Sequence, residues 1–97
     1  MVLNAGWAQY GPFVDLSYSE VETQVNINAL HPIYLLKVLL NQITSRSKKS
    51  GIVIVSSGLG TFPVPGFLTY SCSKSFVNYL GIGLNYELKE KVDVISF

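Results

Sequence analysis

Residues 51–58 read Gly51-Ile52-Val53-Ile54-Val55-Ser56-Ser57-Gly58. Four β-branched residues in a row, with no polar alternation, are the pattern of a parallel strand buried on both faces. Ser56 and Ser57 follow at its carboxyl end, where open parallel sheets bind their ligands. Downstream, Gly58, Gly60, Pro63, Pro65 and Gly66 mark a loop. Residues 68–89 then carry a helical apolar stripe through Phe76, Val77, Leu80, Leu84 and Leu88. Lys91 to Phe97 reads as one more strand.

Upstream, Met1-Val2-Leu3 reads as a short strand running into the turn Asn4-Ala5-Gly6. Residues 7–15 form a loop broken at Gly11-Pro12. A helix is predicted from about Ser19 to Ser45, capped by Ser17 or Ser19, with Glu20 and Glu22 favoured by the helix N-terminus. Pro32 lacks a backbone donor and is predicted to kink that helix. Strand-helix-strand-helix-strand predicts an α/β fold, part of a Rossmann-type doubly wound parallel sheet with right-handed crossovers. Right-handed crossovers that join strands advancing in one direction put both helices on one face. The other face is left bare, so the sheet is incomplete as a stand-alone domain.

Composition narrows the function classes. The 97 residues hold at most one domain, and 48% of them are hydrophobic against 13% charged. The charged share of a soluble domain is usually about a quarter, so part of this surface is expected to be covered. Net charge is +1. The one basic cluster, Arg46, Lys48 and Lys49, reads as a helix end, and no basic stripe with interleaved aromatics points to nucleic acid. Cys72 is the single cysteine, so no internal disulfide forms. The start of the chain lacks the basic and apolar regions of a signal peptide. The apolar stretch Ile33 to Leu40 contains Lys37 and is far short of the ~20 residues that span a bilayer. An intracellular location is expected, in the cytoplasm or at the endoplasmic reticulum, with no membrane segment in these residues.

Tyr70 and Lys74 lie four apart and share one helix face. A cation held beside a phenol favours the phenolate and suits it to proton transfer near neutral pH. Ser57, delivered by the preceding strand end, is placed to orient a carbonyl or alcohol oxygen against that phenol. This is the equipment for protonating a carbonyl as a hydride arrives, or for the reverse. By composition alone the spaced triple occurs in about one unrelated chain of this length in a hundred, so its surroundings must carry the weight.

Those surroundings resemble the short-chain dehydrogenase/reductase family. The family's strand end, helix asparagine, serine and Tyr-x-x-x-Lys helix are matched by Leu3-Asn4-Ala5-Gly6, Asn26, Ser57 and Tyr70-Ser71-Cys72-Ser73-Lys74. Ser56-Ser57-Gly58 followed by Pro63-Val64-Pro65 is most similar to the branch of steroid dehydrogenases and very-long-chain 3-oxoacyl-CoA reductases. The resemblance implies an NAD(P)-dependent oxidoreductase that interconverts a ketone and a secondary alcohol on a hydrophobic small molecule. It implies Tyr70 as acid/base, Lys74 as the cation that lowers the Tyr70 pKa and holds the cofactor's ribose, and Ser57 as the substrate-orienting hydroxyl. Asn26 would keep a relay water in place. Asn4, Ala5 and Gly6 would pass beside the cofactor, with NADP weakly favoured over NAD. The helices near 19–45 and 68–89 would form a homodimer.

One part of the family pattern is missing. Its Gly-x-x-x-Gly-x-Gly turn, which brings backbone and a helix N-terminus to the cofactor's pyrophosphate, does not occur in these residues. Residues 1–97 are therefore expected to be the catalytic half of a single Rossmann-type domain without its N-terminal cofactor-binding half, and inactive alone. The alternative is a non-catalytic interaction or structural subunit that keeps part of the reductase fold. His31 and Cys72 read as packing or solvated residues. Phe62, Phe67 and Leu68 flank the loop above the serine, and Trp7, Tyr10 and Phe13 cluster after the first strand.

Overall fold

In a computed structural model describing residues 1–97, the three apolar runs become parallel strands β1 (Val2–Leu3), β2 (Ser50–Ile54) and β3 (Val92–Ser96). They lie side by side in chain order. Val2 pairs with Val53, which pairs in turn with Ile95. Alternate residues point to opposite faces of such a sheet. Leu3, Ile52, Ile54, Val92 and Val94 make one face, and with Leu36 and Val77 they form the buried core. The row on the other face is open: Val2 is 63% and Ile95 58% exposed. The β-branched run of β2 is apolar on both sides, as expected, but only one side is covered within these residues.

Ser17 caps the first helix, α1 (Tyr18–Val25), accepting the Glu20 N–H at 3.1 Å. The cap satisfies a donor that has no partner within the helix. The predicted single kinked helix is three pieces. α1 runs into a π turn, Asn26–Leu30, and then α2 (His31–Thr44). In the π turn the His31 N–H reaches the Asn26 carbonyl, five residues back. Pro32 is buried and follows immediately. Having no N–H, it cannot bond the carbonyl of Asn28, and the wider turn absorbs that loss upstream of the proline instead of at it. The cluster Arg46, Lys48 and Lys49 falls in the connection after α2, and Lys49 meets Asp93 at 2.8 Å.

The third helix, α3 (Leu68–Leu88), lies over the core and against β3. Gly81 sets that approach: a Cβ there would lie 2.9 Å from the Ser96 Cβ. The outward stripe of α3 carries Cys72, Phe76, Tyr79, Gly83 and Tyr86, all exposed and none charged. No helix is long and apolar enough to cross a membrane.

Candidate active site

Three elements converge beyond the carboxyl ends of the strands: the turn after β1, the end of β2, and the first turns of α3. Lys74 is buried at 3% exposure in the middle of them. Its Nζ donates to the Val55 carbonyl at 3.1 Å and lies 5.7 Å from the centroid of the Tyr70 ring. Burial disfavours the ammonium, so the Lys74 pKa is lowered from the ordinary 10.5. Gly6 passes directly alongside, since a Cβ there would sit 3.1 Å from Nζ and 3.5 Å from Asn28 Oδ1. Tyr70 is half-buried one helical turn before Lys74.

Ser57 stands at the mouth of this group. Its backbone is extended, and its Oγ accepts the Leu59 N–H at 3.1 Å. A hydroxyl that accepts there still has its own proton to donate. Its neighbour Ser56 is buried and donates to the Lys74 carbonyl at 2.8 Å. The loop that follows is fastened to the same helix by Ser75 Oγ, which donates to the Gly60 carbonyl.

The structure does not bring Asn26 to this group. Asn26 is exposed, on the side of the helix that Glu22 also occupies. Asn28 lies there instead, 1% exposed. Its Oδ1 accepts the Trp7 N–H at 2.8 Å, and its Nδ2 donates to the Trp7 carbonyl at 2.7 Å and to Ser73 Oγ at 3.1 Å. Two residues along a helix turn a side chain by about 200°, so Asn26 and Asn28 face opposite ways. The signal that distinguishes them is the buried series Gln24, Asn28, Pro32 and Leu36, four residues apart throughout.

Asn4, Ala5 and Gly6 are exposed along the edge beside Lys74. The space that a Gly6 side chain would need is taken by the Lys74 ammonium, so exposed backbone and a cation with no carboxylate partner lie side by side, an arrangement that fits the hydroxyls of a ribose. Above the mouth, Tyr10 packs against Phe67 with ring centroids 5.2 Å apart and planes inclined at 58°, and Phe62 and Leu68 are exposed beside the same loop. Gly66 has φ +85°, and a Cβ there would run into the Tyr10 ring.

The family model of short chain dehydrogenases matches residues 1–97. The chain belongs to the short-chain dehydrogenase family. Among curated relatives, a very-long-chain 3-oxoacyl-CoA reductase of Anas platyrhynchos is 35% identical over 78% of the chain. Among solved structures, a bulky-bulky ketone specific alcohol dehydrogenase of Comamonas testosteroni superposes with a TM-score of 0.89 at 32% identity, over 98% of this chain and 38% of that one. A short-chain dehydrogenase of Sphingobium yanoikuyae in complex with NADPH matches with a TM-score of 0.89 at 30% identity, over 98% of this chain and 37% of that one. The chain spans 24% of the length of the Anas platyrhynchos reductase. The fold is thus the α/β fold of an oxidoreductase family, and the chain represents a fraction of its relatives' length.

Proposed function

We propose that residues 1–97 carry the proton-transfer half of a nicotinamide-dependent oxidoreductase that interconverts a ketone and a secondary alcohol on an apolar substrate. The observation that carries this reading is the buried Lys74 ammonium against the Tyr70 ring, with the Ser57 hydroxyl at the adjoining strand end. In the reducing direction Tyr70 gives its phenolic proton to the substrate oxygen, and Ser57 donates a hydrogen bond to that same oxygen. Lys74 favours the phenolate that results. A positioned general acid of this kind is typically worth ~10²–10⁴ in rate. When bound, a nicotinamide cofactor supplies the hydride. Lys74 would hold its ribose, and Asn4, Ala5 and Gly6 would run beside it. The cofactor is NADP(H) or NAD(H), and the NADPH held by the Sphingobium yanoikuyae relative weighs slightly toward NADP(H). Asn28 takes the helix position first assigned to Asn26, because it alone reaches the group. The exposed apolar collar of Tyr10, Phe62 and Leu68, together with relatives named for 3-oxoacyl-CoA and bulky ketones, supports a large apolar substrate.

A second reading is a non-catalytic interaction or structural subunit that keeps part of the reductase fold. Under the reductase reading the 97-residue chain alone gives no saturable NADPH binding in calorimetric titration, and micromolar binding would overturn that expectation. A chimera in which residues 1–97 replace the matching segment of the Anas platyrhynchos reductase should turn over 3-oxoacyl-CoA. Tyr70→Phe should then remove at least about 99% of the activity. A chimera that folds and binds NADPH but reduces nothing favours the subunit. A homodimer through the uncharged stripe of α3 and the exposed Tyr34 and Val38 of α2 completes the proposal. Sedimentation should find the parent dimeric and Tyr79→Asp monomeric.

A further inference from the structure

Consecutive residues at the end of β2 hold one residue of α3 from both ends. The Val55 carbonyl takes the Lys74 ammonium at 3.1 Å, and Ser56 Oγ donates to the Lys74 carbonyl at 2.8 Å. The next residue is Ser57. Gly60 seals the contact from above: a Cβ there would lie 3.0 Å from the Lys74 carbonyl carbon and 3.0 Å from Ser56 Oγ. Ser75 Oγ adds a third bond, to the Gly60 carbonyl. A carbonyl has two lone pairs, so Lys74 can accept from Ser56 without giving up a helical bond. Ser56 is buried, and a buried hydroxyl that lost this acceptor would cost the fold about as much as an unmade hydrogen bond.

We propose that Ser56 is a positioning residue, registering the strand end that bears Ser57 against the helix turn that bears Lys74. This rests on the reading of Ser57, Tyr70 and Lys74 as the proton-transfer set. Ser57 belongs to a short, partly exposed turn rich in glycine, whereas Lys74 belongs to a long packed helix. The Ser56 hydroxyl and the Val55 carbonyl make the two move as one body. The titratable neighbour of Lys74 is Tyr70, and no carboxylate pairs with it, since the one ion pair joins Lys49 to Asp93. Lys74 protonation therefore reports how tightly the strand end grips it.

The test is the pH titration of the Lys74 ε-carbon, followed by NMR in the lysine-labelled 97-residue chain. In Ser56→Ala the ammonium regains water, and its titration should move up toward 10.5 by about half a unit or more. Ser56→Thr keeps the hydroxyl and should stay within about a tenth of a unit of the parent. Ser75→Ala loosens the same loop and should move Lys74 in the same direction by less. A folded Ser56→Ala chain with a lowered melting temperature but an unmoved Lys74 would overturn the proposal. If Ser56→Ala does not fold, an unmoved Lys74 in Ser75→Ala overturns it instead. The catalytic reading fails separately, by activity that survives Tyr70→Phe in the chimera.

Discussion

Asn28 does with one side chain what a neighbouring strand does with its backbone, accepting from and donating to the same residue, Trp7. It anchors the loop after β1 and, through Ser73, ties that loop to the helix of Tyr70. Removing it takes the partner from the part-buried N–H and carbonyl of Trp7 and the buried partner from Ser73. Asn28→Ala should therefore lower stability by about 1–3 kcal/mol in urea unfolding, while Asn26→Ala on the exposed side should stay within about 0.5 kcal/mol. Equal losses from both substitutions would refute that distinction. Tyr70, Lys74 and Ser57 were legible in the sequence because their spacing is local to one helix and one strand end. The asparagine was not, because Asn26 and Asn28 stand only two residues apart in one helical stretch. The choice between them depends on helix phase across a turn whose type the sequence does not declare.

At the scale of the element, α3 contains two glycines with opposite roles. Gly81 faces β3, where a Cβ would meet Ser96 at 2.9 Å, and Gly83 faces open space. Gly81→Ala must push helix and strand apart and should cost about 1–3 kcal/mol. Gly83→Ala removes backbone freedom from the unfolded chain at no steric cost and should add about 0.5–1 kcal/mol. Thermal unfolding of the two variants gives shifts of opposite sign if this account holds. The helix itself was readable from its apolar stripe. The break between α1 and α2 was half-readable: Pro32 announced a disturbance, but the strain is relieved in the residues before it, because the missing donor belongs to a bond that reaches backward.

For the molecule as a whole, the sheet has a finished side and an unfinished one. The expectation of a bare face came from counting crossovers, and the exposed row of Val2 and Ile95 around Val53 agrees with it. Replacing Ile95 by Thr and Val2 by Thr should cut the binding of a hydrophobic dye at least about twofold and leave the helical circular dichroism unchanged. A loss of helix signal would mean that this row already supports the core. Strand order and direction were readable because long helices separate the strands. The open face was readable only because the β-branched run asks for cover on both sides.

The π turn has one further consequence, for chain length. Each of its rings encloses one residue more than an α-helical ring, so Asn26–Leu30 behaves as a single-residue insertion held in place by packing. Deleting one residue elsewhere in α2 or α3 would rotate everything beyond it by about 100° and turn core residues outward. Deleting one within 26–30 lets the turn close to α geometry, with the flanking helices still in phase. Of all the helical residues, those of this turn other than the anchoring Asn28 are where the chain can best be shortened by one.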